Sequence, residues 1–284
     1  KPSPEHMAIV DHAIKRLSNA GITSVWLMGN HDYIRTSSTE FTSSIVNLGA
    51  KDYPNVRIVL EPTILNVESQ DGTVNLVLLP YRDKRMYSEG SIEAASFGYE
   101  AHVRKLIKEC DPETPTIAIG HNFYFEGSYN DFSGSEILAR PSAFQGCDLV
   151  AMGHYHNFRI VKKANPVTIY TGSMEKINFS DKDRVKYFID YDTNEKEINI
   201  IKTPVRELEE LNINLSHANL ENYMEELAAV LEKEDLDGKI VRVNLQLKER
   251  VASFVKKNHI YDLLYKQKCH YVSALKMEVI QKRM

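Results

Sequence analysis

The chain has 284 residues, 43% of them hydrophobic and 26% charged, with a net charge of −4. At roughly 100–200 residues per domain, this length predicts about two domains with buried cores, and the composition excludes a disordered or collagen-like chain. No run approaches the ~18–20 consecutive apolar residues of a membrane span, and the opening residues Lys1, Pro2, Ser3, Pro4, Glu5 and His6 lack the apolar stretch of a secretory signal.

In chain order, Ser3-Pro4 reads as an N-cap followed by proline in the first helical turn. Met7, Val10, Ile14 and Leu17 then recur at helical spacing, and Gly21 closes the segment. Residues 23–28 form a short apolar strand that runs into Gly29-Asn30-His31-Asp32. A helix is expected near residues 41–48. Residues 73–79 read as a strand ending at Pro80-Tyr81, and 92–110 as a helix. Two more short apolar strands follow: 116–119 runs into Gly120-His121, and 148–152 into Gly153-His154-Tyr155-His156. Residues 167–170, 185–191 and 197–201 read as strands with polar turns between them. Near Thr203-Pro204 the character changes. A charged helix (218–233), a strand (239–247), a helix (249–265) and a strand (270–280) make a second unit of α/β alternation. Helices alternating with strands early, and strands clustering later, predict an α/β fold with a mixed sheet.

Three apolar strands thus end in glycine followed by a residue able to bind metal. In open α/β sheets, ligands bind beyond the carboxyl ends of strands. Glycine there is expected to turn the chain sharply and let the backbone approach a ligand. Four of the ten histidines, His31, His121, His154 and His156, sit on these loops. Together with the amide oxygen of Asn30 they form a mixed nitrogen and oxygen set without thiolate, which suits Mn²⁺, Fe²⁺ or Zn²⁺ better than Ca²⁺ or a structural zinc. If residues 154–156 are extended, both imidazoles point to one side and reach two neighbouring ions. Two metals about 3.5–4 Å apart are common machinery for hydrolysing a phosphodiester.

With these residues in place, the sequence resembles the calcineurin-like metallophosphoesterases, and within them the SbcD-type nucleases of the Mre-eleven family. G-N-H-D at residues 29–32, Gly120-His121, and G-H-Y-H at residues 153–156 resemble that superfamily's third, fourth and fifth motifs, in the same order. Leu79-Pro80-Tyr81 is similar to the L-P-Y strand end of the nucleases. Tyr170-Thr171-Gly172-Ser173-Met174-Glu175, with Phe179-Ser180 after it, resembles the segment downstream of their last motif. The resemblance covers residues 1–203, with a weaker match beyond. It implies a metallophosphoesterase sandwich of mixed β-sheets flanked by helices (1–203), and a small α/β capping domain that holds DNA (204–284).

The activity it implies is Mn²⁺-dependent hydrolysis of DNA phosphodiesters, as exonuclease and endonuclease, in DNA repair and recombination. Asn30, His121 and His154 would bind one of two divalent ions, most simply Mn²⁺, and His156 the other. His31 would stand near the scissile phosphate as general acid, oriented by Asp32. Its partners would be DNA and an SMC-like ATPase of the SbcC type. A homodimer is also implied, with the helices near 7–17 and 41–48 as candidate surfaces, unless their apolar residues belong to the core.

The family's D-x-H and G-D-x-x-D motifs, which supply the bridging aspartate, do not occur in this sequence. The expectation is a longer natural chain in which they precede Lys1; the alternative is a member that binds DNA without catalysis. A third reading is a related phosphoesterase acting on another substrate.

The basic residues favour DNA. Residues 239–284 carry eleven Lys and Arg against Glu249, Asp262 and Glu278, a net +8, so the preceding residues carry −12. Such asymmetry points to an anionic partner, or to a solvated basic face. Lys248, Arg250, Lys256 and Lys257, with Lys266, Lys268, Lys282 and Arg283, are candidate phosphate contacts that give affinity without sequence readout. Cys110, Cys147 and Cys269, odd in number and without a C-x-x-C pair, argue against a disulfide framework and a zinc ribbon. They are expected as reduced thiols in a cytoplasmic protein, nucleoid-associated, or in a host cytoplasm if phage-encoded.

Overall fold

The computed structural model describes residues 3–36, 41–43, 53–69, 72–121, 123–124, 136–161 and 164–280. In chain order the elements are α1 (Pro4–Asn19), β1 (Ser24–Leu27), β2 (Tyr33–Arg35), β3 (Phe41–Ser43), β4 (Val56–Val59), β5 (Thr63–Ser69), β6 (Gly72–Leu79), α2 (Ile92–Glu109) and β7 (Thr116–Gly120). There follow β8 (Phe123–Tyr124), β9 (Leu138–Ala139), β10 (Leu149–Met152), β11 (Arg159–Ile160), β12 (Val167–Tyr170), β13 (Tyr187–Asp192) and β14 (Glu197–Lys202). The last are β15 (Leu208–Asn214), α3 (Tyr223–Leu231), β16 (Ile240–Lys248), α4 (Glu249–Ala252), α5 (Lys257–Lys266) and β17 (Tyr271–Ile280). Helices and mixed sheets together make an α/β fold. Among the described residues, no helix is long and apolar enough to cross a membrane.

The chain divides into two compact units. One comprises Lys1–Ser173 with Tyr187–Ile201, the other Met174–Lys186 with Lys202–Met284. In the first, a six-stranded sheet has the order β11-β12-β10-β7-β6-β5. Strands β12, β10, β7 and β6 run parallel, so their carboxyl ends share one edge, while β5 and β11 pair antiparallel at the flanks. Val77, Leu78 and Leu79 are all buried in succession, which marks a strand covered on both faces. Helix α2 starts where the Ser91 hydroxyl accepts from the Ala94 amide at 3.2 Å, an N-cap. It buries Ala95, Tyr99, Val103, Leu106 and Ile107 at helical spacing, and Tyr99, Val103, Leu106 and Ile107 join Val77, Leu79, Ala118, Val150 and Met152 in one core. Inside this interface Glu100 is 2% exposed. It accepts from the Arg140 backbone amide at 2.9 Å and from that residue's guanidinium at 2.8 and 2.7 Å.

Helix α1 begins at the Ser3 cap with proline in its first turn. Ile14 is fully buried against Met28 and Val56, with Met7 and Val10 packed on the same cluster. Strands β1 and β4 pair in parallel beside it. Residues 41–43 do not begin a helix: they pair antiparallel with β2, Tyr33 opposite Ser43. Residues 44–48 lie outside the described residues. Helix α1 therefore spends most of its apolar side on the core, with Ile9 the large exposed exception.

In the second unit, β15, β16 and β17 form a parallel sheet in that order. Parallel neighbours need crossover connections, and α3 and α5 supply them. Val241, Val243, Leu245 and Leu247 alternate toward one face and share a core with Leu227, Leu231, Ile260 and Leu264. The expected helix over 249–265 is broken into α4 and α5 by residues 253–256. The segment Met174–Lys186 belongs to this unit, tied to it by the ion pair of Lys176 with Glu207. Lys186, 2% exposed, lies 3.2 Å from Asp181, whose carboxylate also accepts from the Ile177 amide at 3.1 Å. The Arg242 guanidinium covers the Phe179 ring at 4.0 Å.

Candidate functional site

The three glycine-histidine loops leave the carboxyl ends of parallel strands, β7 and β10 in the six-stranded sheet and β1 in its two-stranded sheet with β4, and are stitched together by backbone hydrogen bonds. His121 donates its amide to Leu79 O at 3.0 Å, Gly153 to Gly120 O at 2.7 Å, Tyr81 to Met28 O at 2.8 Å and Thr171 to Met152 O at 3.1 Å. The exits of β1, β6, β7, β10 and β12 are thereby held side by side. The L-P-Y end of β6 has a visible part in this: the Tyr81 amide ties it to the residue just before Gly29.

His121 is the centre of the cluster. A β-carbon on Gly153 would stand 2.9 Å from its Nδ1, and one on Gly29 would stand 3.0 Å from its Cε1. The imidazole therefore occupies a slot between two glycines. Gly29, Gly120 and Gly153 all keep φ outside the left-handed region. The expectation of a sharp glycine turn is corrected here: these glycines make room for a ring and, at Gly120, for the sulfur of Met152, 2.9 Å from where a β-carbon would be. The left-handed turn falls instead on His154, with φ of 76°. A non-glycine residue is seldom found in this region, and such residues gather at functional sites.

His121 Nε2 donates to Asn30 Oδ1 at 3.0 Å. The ring of His154 meets that of His121 edge to face, with centroids 5.2 Å apart. Burial pushes the pKa of His121 down to about 4, helped by the neighbouring His154, His31 and His156. His154 is lowered for the same reason, burial first and then His156 and His31. Both rings are therefore uncharged near neutrality and carry a lone pair. His31 and His156 are themselves exposed, close enough to act electrostatically on the two half-buried rings.

The Asp32 carboxylate accepts from the Gly29 amide at 2.9 Å, and the Asp32 amide donates to Gly29 O at 3.2 Å. It closes the turn that carries Asn30 and His31 by bonding back to the amide three residues earlier. The structure thus gathers Asn30, His31, His121, His154 and His156 at the ends of β1, β7 and β10. Sequence reasoning missed how the G-H-Y-H loop is held. Ser173 donates its amide to His156 O at 3.1 Å. A β-carbon on Gly172 would stand 2.8 Å from Phe158 N, and its φ is 75°. The T-G-S signal after β12 marks this buttress.

Uncharged nitrogen and oxygen donors fit one borderline divalent cation in kind, once Asn30 and His121 exchange their mutual hydrogen bond for the ion. Among the described residues, no group of three or more His, Cys, Asp or Glu side chains is gathered to hold a metal. The set includes no carboxylate free of the turn to bridge two ions.

The basic candidates lie in the second unit. Lys248, at the end of β16, donates to His217 O at 3.3 Å. With Arg250 it lines an open cavity of about 390 Å³, together with Asn219, Leu220, Glu221 and Val251. Lys256 caps α5 and Lys257 opens it, both exposed, with no acid in the first turn. Positive charge at a helix N-terminus opposes the helix dipole, so these lysines do not serve helix stability. Lys266 and Lys268 are exposed; Lys282 and Arg283 lie outside the described residues.

The fold and site define an α/β protein with a histidine and amide cluster where parallel strands of two neighbouring sheets end. No protein-family model matches the chain.

Proposed function

We propose that the protein is a metal-dependent phosphodiesterase acting on DNA, the nuclease subunit of an SbcCD-type repair complex. The observation that carries this reading is the neutral His121 held against Asn30 and His154 where parallel strands end. Uncharged imidazoles there are ready to ligate, and a divalent ion, most simply Mn²⁺, would polarise the phosphoryl oxygens. His31, exposed on the turn closed by Asp32, would deliver a proton to the leaving 3′-oxygen. Histidine is the side chain best suited to that exchange near neutral pH. The exposed Lys248, Arg250, Lys256 and Lys257 would hold the DNA backbone. An SMC-like ATPase, a second copy of the chain and a cytoplasmic setting belong to the same proposal.

The test is cleavage of linear DNA by the complete natural chain with Mn²⁺. Cleavage abolished by a chelator and restored by Mn²⁺ is expected. A second reading, DNA binding without catalysis, draws on the lack of a bridging carboxylate in the described set. Tight DNA binding with no Mn²⁺-dependent turnover would favour it.

A further inference from the structure

Tyr155 stands between two of the clustered histidines, and its setting is unusual for an aromatic side chain. The backbone enters it from the left-handed His154 and leaves it through His156, whose carbonyl is held by the Ser173 amide at 3.1 Å and hydroxyl at 3.4 Å. The close approach of Gly172 to Phe158 N fixes the far side of the loop. The Tyr155 ring is 38% exposed, while Tyr170 beneath it is 4% exposed. Their centroids are 5.6 Å apart with the planes at 66°, an edge-to-face brace. Tyr33, which follows Asp32 on the facing loop, is braced by Tyr81 at 5.7 Å in the same manner. Tyr33, however, packs on the core of Ile14, Met28 and Val56. Of the two, Tyr155 displays its ring.

A rigid, half-exposed aromatic ring beside a phosphate-handling cluster has one obvious chemical complement, the flat face of the base attached to that phosphate. We infer that Tyr155 stacks the nucleobase next to the scissile phosphate, so that the site selects unpaired nucleotides over compact phosphoesters. This rests on the nuclease reading above. The base must be unpaired because, inside a duplex, its faces are covered by its neighbours. Aromatic stacking tolerates any sequence, which matches phosphate contacts that read none. The loop is already ordered by its clamps, so binding loses little additional freedom at Tyr155.

The test uses the complete natural chain with Mn²⁺ and single-stranded DNA oligonucleotides in which one abasic position is walked past the cleavage point. For the wild type, removing the stacked base is expected to lower kcat/KM about 5- to 150-fold, mostly through KM. Tyr155→Ala is expected to show that loss already on the intact oligonucleotide and no further loss at the abasic position. Tyr155→Phe and Tyr155→Trp are expected to keep the discrimination, since stacking needs the ring and not the hydroxyl. Mn²⁺ affinity, measured in parallel for each variant, separates a lost stack from a collapsed loop. If Tyr155→Ala keeps the full abasic penalty, or Tyr155→Phe behaves as Tyr155→Ala, the stacking role is wrong. Wild-type cleavage indifferent to every abasic position overturns the stacking role and leaves the nuclease reading standing. Absence of DNA cleavage by the wild type overturns both.

Discussion

Gly153→Ala tests the slot that holds His121. The new methyl would stand 2.9 Å from His121 Nδ1, where ordinary contact begins at 3.4 Å, so the ring must give by about 0.5 Å. It cannot withdraw freely, because Gly29 approaches its other side, with a β-carbon position 3.0 Å from Cε1. Overpacking of this kind costs about 1–3 kcal/mol. The backbone at Gly153 suits alanine, and the stiffer unfolded chain returns about 0.4–1 kcal/mol. A net loss of up to about 2.5 kcal/mol remains, which is a fall in Tm of up to about 10 °C for a unit of this size. The assay is thermal unfolding of four proteins: wild type, Gly153→Ala, His121→Ala and the double variant. With the ring removed only ordinary contact with Gly120 O at 3.7 Å remains, so the overpacking cost should vanish in the His121→Ala background, a coupling of about 1–3 kcal/mol. Gly21→Ala is the control. Gly21 has φ of 73° and nothing within 4 Å, so alanine there costs about 1–2 kcal/mol through the backbone alone, with or without His121. An equal cost of Gly153→Ala in both backgrounds would refute the slot.

The other expectations follow from charges and protons. His31→Ala should keep Mn²⁺ affinity and lose about 10²–10⁴-fold in turnover on DNA, with a smaller loss on a nitrophenyl diester, whose leaving group departs without a proton; equal losses on both substrates would remove the acid role. Lys256→Glu with Lys257→Glu should weaken DNA binding and flatten its dependence on salt, while thermal stability stays the same or rises slightly, because acids suit the start of α5; unchanged DNA affinity would exclude these lysines. Burial alone would raise the pKa of Glu100, but its hydrogen bonds to Arg140 outweigh burial and leave it lowered. A lowered folded-state pKa gives stability that is fully present above the unfolded-state value and is lost as pH falls through the folded-state value. Acid melts of Glu100→Gln should therefore start about 1–3 kcal/mol lower near neutrality and fall less steeply below about pH 5; parallel acid limbs would place the titration elsewhere.

Elements governed by local rules were legible in the sequence. The Ser3-Pro4 cap and the spacing of Met7, Val10 and Ile14 sufficed for α1, and continuous apolar runs marked β6, β7, β10 and β12. Pairing partners decide the rest. Residues 208–214, L-E-E-L-N-I-N, place Leu208 and Leu211 three apart, as a helix would. They become a strand because all seven residues find register with β16. The helix expected over 249–265 divides because Val251 and Ile260 are buried from separate short helices, with exposed Ser253 and Phe254 between them. Nothing local in Met174–Lys186 announces that it joins the second unit. That depends on partners distant in sequence, Glu207 for Lys176 and Arg242 for the Phe179 ring, which meet only in the folded chain.

The site shows the same division between residue identity and geometry. The pattern of glycine followed by Asn or His at three strand ends points to residues that lie near one another, because β7 and β10 end side by side in one sheet and the Tyr81–Met28 hydrogen bond brings the end of β1 to them. It misjudged what the glycines do. Left-handed backbone is the usual reason for glycine in a tight loop, yet here the left-handed residue is His154, beside a glycine that does not need its own freedom. What Gly29 and Gly153 share is the His121 ring lying against both. Packing on both faces and a hydrogen bond to Asn30 leave that imidazole one orientation, and burial beside other imidazoles leaves it uncharged. A larger residue at either glycine would push the ring from the position in which it meets Asn30. The glycines of this site act through the side chain they confine, which is information held between strands and therefore invisible in any one stretch of sequence.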